Sequence, residues 1–387
     1  MKVCVVGSSK RFFSGITTHT IFLANALAKR GNTVSVINLR NLVPLFLYPG
    51  RERVGKKEEY IVDFVPGIKV YDGMDWNSPH TWLGAVKFIN QQKPDAIIML
   101  WWTSSVAHMQ FILALGTRFN GRPSLILEMH EVVDPLEEKI LPIRLYSRLA
   151  GRMLIRQFDA YATHSLSASR SVIDIYAMPE EKVYNVPIGI YDKYVCTERE
   201  LAKKEFGLFN NYVILCFGSI RQYKGIHLLV KAFDLLPVEI VECSTLVIAG
   251  EDWGDVPDLK PAIENSKYRH KIIFKPQFIN DQEVTKLFAA SDIVVLPYLR
   301  TCGSGVAHIA VANGKQIITS DLPTMRETLD GYEGVNFFHT GNIVALRDKL
   351  VEVYQLWVKE GPPNYDFLGH SWDEVACRYE EIILDLK

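Results

Sequence analysis

The sequence predicts an α/β protein of two doubly wound parallel sheets, and three observations carry that reading. Short runs rich in Val and Ile alternate with helix-period patterns, as expected of parallel strands covered on both faces by crossover helices. The pattern restarts about halfway along the chain. At 387 residues the chain is too long for one hydrophobic core and suits two domains of about 150 to 200 residues each.

The first half opens on the strand run Val3 to Val6. A helix from Thr18 to Lys29 follows, with Ile21, Phe22, Ala24, Leu27 and Ala28 along one side and Gly31 supplying the stop. Further strand runs are Val34 to Ile37, Ala96 to Leu100 and Ser124 to Leu127. In the second half they are Tyr212 to Phe217, Thr245 to Ala249, Ile272 to Phe274, Ile293 to Leu296 and Gln316 to Thr319. The segment Tyr191 to Lys204 is polar and charged without a strand pattern, and it reads as a linker. The last segment, Trp372 to Leu386, reads as an amphipathic helix through Val375, Tyr379, Ile382, Ile383 and Leu386. The expected domains are residues 1–195 and 205–365, with a terminal helical segment over 366–387.

Composition removes several function classes. The 43 basic and 44 acidic residues leave a net charge of -1, so no overall bias toward nucleic acid exists and any basic surface is local. The six cysteines, Cys4, Cys196, Cys216, Cys243, Cys302 and Cys377, form no Cys-x-x-Cys pair and have no His-rich partner segment. Neither a zinc site nor a disulfide framework is indicated, and a cytoplasmic location follows as an expectation. Lys2 to Gly7 reads directly as a strand and not as a signal peptide. The longest apolar run, Ala96 to Trp102, falls far short of the roughly 20 residues that span a bilayer, so the body is expected to be soluble.

The loop after the first strand, Gly7-Ser8-Ser9-Lys10, lacks the Gly-x-Gly-x-x-Gly fingerprint, which removes most support for a hydride-transferring oxidoreductase. A different phosphate-friendly pattern stands in the second half. Phe217-Gly218-Ser219-Ile220-Arg221-Gln222-Tyr223-Lys224-Gly225 follows a strand and precedes the apolar helix Ile226 to Leu236. Backbone N–H groups and a helix dipole converge at such a strand end, and Arg221 and Lys224 add two positive charges there. Ordinary solvated loop residues are the other reading of the two cations.

A second loop, Tyr298-Leu299-Arg300-Thr301-Cys302-Gly303-Ser304-Gly305-Val306, leads into a small-residue helix from Ala307 to Ala312. Gly303 and Gly305 permit close backbone approach, and the N–H groups of Gly305 and Val306 open the helix toward a pyrophosphate. A plain helix-start turn is the alternative.

These motifs resemble glycosyltransferase family 4, the glycosyl transferases group 1, of the GT-B fold. The resemblance rests on Phe-Gly-x-x-Arg-x-x-Lys-Gly at 217–225, Leu246 to Gly250, Ala290 to Pro297, Gly314 to Leu322, Arg326-Glu327 and Ser371 to Ala376. Lys93-Pro94-Asp95 and Val183 to Ile190 extend it into the first half. It implies two Rossmann-like domains facing a cleft, with the C-terminal helix crossing back to pack on the first domain. It implies that the first domain binds the acceptor and the second a nucleotide sugar, UDP- or GDP-linked. The reaction implied is retaining transfer of a sugar, a hexose, to a glycan or lipid-linked acceptor, with no cofactor; no Asp-x-Asp motif stands on a promising strand end, so no catalytic metal is expected.

By residue, the resemblance gives Arg221 and Lys224 the neutralisation of the donor diphosphate. Gly15 matches a first-domain glycine loop that approaches the same phosphates, and Thr301, Gly303, Ser304, Gly305 and Val306 form the second phosphate loop. His130, after the strand ending at Glu128-Met129, matches a histidine near the donor sugar. One departure stands out: Thr301 and Ile309 occupy the positions of the acidic pair that many relatives carry across this loop, the second of which binds the donor ribose.

Between Leu141 and Phe158, Arg144, Arg148, Arg152 and Arg156 recur every four residues along one helix side, beside Ile143, Leu145, Leu149, Met153, Leu154 and Ile155. Two readings stay open: peripheral contact with an anionic membrane at its cytoplasmic face, or a solvated Arg face over a buried one. Trp101, Trp102 and His108 line an acceptor-sugar site or pack beneath it. Two rivals to a transferase remain, a non-catalytic GT-B nucleotide- or glycan-binding partner protein and a same-fold epimerase or phosphorylase.

Overall fold

The structure, a computed structural model, describes residues 1–12, 15–42, 61–102, 106–118, 121–130, 145, 151–196, 198–209, 211–363, 365–366 and 369–387. Two compact units divide the chain. The first comprises Met1–Lys57, Val62–Gly189 and His370–Lys387, and the second comprises Glu58–Ile61 and Ile190–Gly369.

In the first unit the elements run β1 (Lys2–Ser8), α1 (Gly15–Lys29), β2 (Thr33–Asn41), β3 (Lys69–Asp75), α2 (Pro79–Gln92), β4 (Ala96–Trp101), α3 (Ala107–Arg118), β5 (Ser124–Met129), β6 (Ala160–Thr163), α4 (Leu166–Tyr176) and β7 (Val183–Asn185). The strands form one parallel sheet of order β3-β2-β1-β4-β5-β6-β7. Val3 to Val6 and Ile97 to Leu100 are wholly buried, which is why both runs read as continuous apolar stretches without alternation. Gly7 lets α1 lie close on β1, because a Cβ there would fall 2.1 Å from the Thr20 hydroxyl.

The second unit runs α5 (Arg199–Glu205), β8 (Tyr212–Phe217), α6 (Ile226–Asp234), α7 (Val238–Glu242), β9 (Ser244–Ala249), α8 (Leu259–Glu264), β10 (Ile272–Lys275), α9 (Asp281–Ala290), β11 (Ile293–Leu296), α10 (Gly305–Ala312), β12 (Gln316–Ser320), α11 (Pro323–Thr328), β13 (Val335–Phe338) and α12 (Ile343–Glu360). Its parallel sheet has the order β10-β9-β8-β11-β12-β13. One side of the sheet is filled by Ile226, Leu229, Val230 and Phe233 of α6 with Leu346, Leu350 and Val353 of α12.

The last helix, α13 (Trp372–Asp385), belongs to the first unit. Ser371 and Glu374 form a reciprocal capping box at its start. Its apolar side buries Trp372, Val375, Tyr379, Ile382 and Ile383, while Arg30 at the end of α1 pairs with Asp373 at 2.8 Å and Glu380 at 2.9 Å.

The segment read as a linker is a correction. Tyr191 and Tyr194 are buried, residues 199–205 form α5, and the whole stretch belongs to the second unit. The reason is charge pairing that spans about ninety residues: Lys203 and Arg199 both pair with buried Asp292, whose carboxylate also accepts the Val213 N–H. No local pattern signals such a partner. Strands β3, β6, β7 and β13 are additions to the sequence reading, being short or interrupted by polar residues.

Of the basic stretch, Arg144 and Arg148, with Ile143 and Leu149, lie outside the described residues. Residues 151–155 are helical, Arg152 and Arg156 are exposed, and Leu154 and Ile155 are buried while Met153 is 48 % exposed. Among the described residues no helix is long and apolar enough to cross a membrane.

Candidate functional site

In the second sheet, chain order reverses between β8 and β11, and at such a switch point the loops leaving two neighbouring strands diverge and open a crevice. Those two loops are residues 218–225 and 297–304, the pair that the sequence singles out.

The β8 loop is shaped by glycine. Gly218 has φ +120°, and a Cβ on it would sit 3.4 Å from the Val306 side chain. Gly225 has φ +65°, and a Cβ there would fall 2.0 Å from the Pro297 carbonyl oxygen, so only glycine lets the start of α6 press against the β11 strand end. The Leu299 N–H donates to the Tyr223 carbonyl at 2.8 Å and ties the two loops together.

Arg221 is partly buried and held from two sides. Its Nε donates to Asp255 at 2.8 Å, and its guanidinium lies 4.6 Å over the Trp253 ring. Asp255 also accepts the Gln222 N–H at 3.2 Å. The side chain therefore starts from a fixed orientation, which lowers the entropy lost when the remaining donors engage an anion. The Lys224 ammonium lies 4.0 Å from the Tyr298 ring. Tyr298 is fully buried, and its hydroxyl bonds the Ser304 hydroxyl at 3.1 Å.

Ser304 caps α10 by accepting the Ala307 N–H at 3.2 Å. Its hydroxyl is thus used inside the fold. Thr301 closes its own turn, donating to the Gly303 carbonyl at 2.6 Å and accepting the Gly303 N–H at 3.1 Å. What remains for an anion is the first turn of α10, where the N–H groups of Gly305 and Val306 have no intrahelical acceptor by helix geometry. A Cβ on Gly305 would stand 3.3 Å from the Tyr191 ring, so protein already approaches this glycine closely. Ile309, at the position of the ribose-binding acid, is buried on α10.

In the first unit, Gly15 opens α1, and a Cβ there meets no atom within 4 Å. Its neighbours Phe13 and Ser14 lie outside the described residues. Trp101 is buried and packs at Gly151, and His108 Nε2 lies 2.7 Å from the Trp76 carbonyl. Trp102 is partly exposed.

His130 sits in a cluster that the sequence reading did not foresee. Glu128 and His130 are two apart on one strand direction and face the same side of the sheet. His19 of α1 brings its Nε2 within 2.5 Å of Glu128 Oε1, and His130 Nε2 lies 3.3 Å from the same oxygen. His164, after β6, places Nε2 3.2 Å from His130 Nδ1 and Nδ1 3.0 Å from the Val186 carbonyl. Trp372 covers His19 edge-on at 4.9 Å and stacks on Phe22, and a Cβ on Gly189 would fall 2.6 Å from the indole.

Burial opposes the charge on Glu128, but His19 and His130 outweigh it and hold that carboxyl well below its usual range. Burial first, and then the positive field of His19, lowers His130 despite the pull of Glu128. Burial and the neighbouring His130 push His164 down to about 3. Both ring nitrogens of His130 therefore face partners inside its own unit. Pairing of histidines from α1, β5 and β6 has no sequence signature, because the three positions meet only through the sheet order.

Comparison with known proteins identifies the family and the fold. Residues 198–361 match the family described as glycosyl transferases group 1, and residues 13–193 match Glycosyltransferase Family 4. An uncharacterized glycosyltransferase of Methanocaldococcus jannaschii is 29% identical over 176 residues, 43% of this chain and 43% of that protein. A D-inositol 3-phosphate glycosyltransferase of Stackebrandtia nassauensis is 24% identical over 201 residues, 49% of this chain and 45% of that protein. The chain thus spans less than half the length of these curated relatives.

Among solved structures, the Anabaena protein HepE in complex with UDP and glucose superimposes with TM-score 0.67 at 15% identity, covering 100% of this chain and 97% of that one. The catalytic domain of starch synthase IV from Arabidopsis thaliana, bound to ADP and acarbose, gives TM-score 0.72 at 14% identity, covering 100% and 99%. At such identities the likeness speaks for the fold, two Rossmann-like domains of the GT-B type. With both halves of the family matched in order, the chain belongs to the glycosyltransferases of family 4, its second half being the group 1 transferase domain.

Proposed function

We propose that this protein moves a sugar, a hexose, from a nucleoside diphosphate to a hydroxyl of a glycan or lipid-linked acceptor with retention, without a cofactor or catalytic metal. One observation carries the reading: Arg221, Lys224 and the capped start of α10 converge on the two loops at the switch point of the second sheet. This edge supplies two cations and backbone donors where negative charge develops on a departing diphosphate. Preorganised donors of that kind stabilise the transition state without reorganising during the reaction. The role proposed for His130 is to act on the donor sugar.

The test is release of nucleoside diphosphate from a panel of UDP- and GDP-sugars, with and without candidate acceptors. Arg221→Ala and Lys224→Ala are each expected to lower turnover by about two orders of magnitude, the effect of losing one such donor. Near-normal rates in both variants would remove the account. A second reading, a non-catalytic nucleotide- or glycan-binding partner, is favoured by Ile309 in place of an acidic residue. Nucleotide binding with no release from any donor would support it.

The proposal extends to a cytoplasmic protein working at the inner membrane face through Arg144, Arg148, Arg152 and Arg156. Sedimentation with anionic vesicles is expected to weaken when Arg152 and Arg156 both become Glu, and equal binding by both forms would count against it.

A further inference from the structure

The buried cluster around His130 has a feature that sheet topology alone explains. Three strand ends of the first unit place Glu128 and His130 (β5), His164 (after β6) and the Val186 carbonyl (after β7) side by side, with His19 reaching in from α1. The hydrogen bonds then run in one direction. A carbonyl oxygen only accepts, so His164 Nδ1 must carry a proton toward Val186 at 3.0 Å. His164 remains neutral, so its Nε2 offers a lone pair, and the His130 nitrogen 3.2 Å away must be the donor. His130 therefore holds its proton on Nδ1. On His130 this leaves Nε2, 3.3 Å from Glu128 Oε1, for a further proton; His164 Nε2 stands 3.5 Å from the same oxygen.

We propose that His164 is a positioning residue for His130, fixing its Nδ1–H tautomer through the Val186 carbonyl so that any proton His130 exchanges sits at Nε2, against Glu128. The arrangement parallels the general rule that the role of one imidazole nitrogen is set by the hydrogen bond the other makes. Here the orienting group is a second imidazole. His19 Nε2 is the group closest to Glu128 Oε1, at 2.5 Å, and burial, then the field of His19, oppose a standing charge on His130. Tyr379 of α13 completes the surroundings; burial, and then the Glu128 charge, push its phenol well above the ordinary value.

A shared cation is the obvious competitor, since His19, Glu128 and His130 offer ligand atoms within 4.8 Å of one another and several of these atoms lack an aligned hydrogen bond. His19 Nε2 and Glu128 Oε1 stand 2.5 Å apart, closer than two donor atoms sharing one tetrahedral ion, and the metal content of the purified chain separates the two readings.

This inference rests on the proposed role of His130 in transfer only for its consequence on rate; the tautomer itself does not depend on that role. The test uses the full chain as wild type, His164→Gln and His164→Leu. Two-bond 1H–15N spectra of the histidine rings at pH 7.5 report which nitrogen of His130 is protonated. The expected result is Nδ1–H in wild type and in His164→Gln, whose amide oxygen still accepts, and a switch to Nε2–H in His164→Leu. In the transferase assay, kcat is expected to fall about ten-fold in His164→Leu with little change in KM, and to recover to within about three-fold in His164→Gln.

His130 protonated at Nε2 in wild type overturns the proposal without need of any variant, and so does an unchanged tautomer in folded His164→Leu. A stoichiometric metal that survives chelation and is lost in His19→Ala also overturns it. Should no donor be turned over by wild type, the transferase reading fails while the ring spectra still decide the tautomer.

Discussion

The Lys224 ammonium lies 4.0 Å from the ring of Tyr298, whose hydroxyl bonds the Ser304 that caps α10. One buried aromatic thus orients both a cation and a helix start on the same sheet edge. Replacing Tyr298 by Phe keeps the ring and loses only the Ser304 bond, so nucleoside diphosphate affinity should fall less than about three-fold. Tyr298→Leu removes the ring too, and a cation–π contact worth about 1 to 2 kcal/mol predicts a loss of roughly ten-fold. Calorimetric titration of the two variants checks the ranking.

Asp255 accepts from Arg221 Nε and from the Gln222 N–H, and so orients the Arg221 side chain. Asp255→Asn keeps an acceptor but removes the charge, and affinity for a nucleoside diphosphate is expected to weaken about three- to ten-fold, from loss of roughly 1 kcal/mol of preorganisation. The opposite outcome, tighter binding because Arg221 gains positive field, would show that the ion pair competes with the ligand.

Asp292 is the anchor of α5. Asp292→Ala leaves the buried Lys203 ammonium without its partner, and breaking a buried pair from one side costs about 3 to 5 kcal/mol. The urea midpoint of the second-unit transition should drop accordingly. Asp292→Ala with an unchanged midpoint would mean that α5 is held by packing alone.

The histidine cluster gives stability a pH dependence with a defined sign. His164 has an ordinary value of 6.5 when unfolded and about 3 when folded, and His130 is shifted the same way. Between those values the unfolded chain binds protons that the folded chain refuses, so stability is full above pH 6.5 and is lost as pH falls toward 3. Glu128, held well below its usual 4.5 when folded, adds stability that is full above pH 4.5 and is lost as pH falls below that value. Melting temperatures should fall between pH 7.5 and 5, and His164→Gln should flatten that slope; a slope unaffected by the substitution would place the titration elsewhere.

The sheet-forming runs were legible because parallel strands are buried on both faces and so appear as uninterrupted Val and Ile stretches, as at Val3 to Val6 and Ile293 to Leu296. Strand β7, three partly buried residues, and β3, broken by polar positions, carry no such signal. The glycine-shaped loop after β8 was legible because it is local: a strand, glycines and two cations lie within nine residues. The partners that orient it were not. Asp255 and Trp253 reach Arg221 from a separate loop, and His19 and His164 reach Glu128 and His130 through sheet order, so their pairing exists only after folding. For the same reason Lys203 looked like a linker residue until Asp292 was found beneath it.

The claim on which the rest depends is that the second unit holds a diphosphate through Arg221 and Lys224. Isothermal titration of UDP, GDP and ADP into wild type, Arg221→Ala and Lys224→Ala tests it most directly. The account predicts that at least one nucleoside diphosphate binds wild type with Kd between about 1 μM and 1 mM, and that each substitution weakens it ten-fold or more. Equal affinity in all three proteins, or no binding of any of the three nucleotides to wild type, would contradict it.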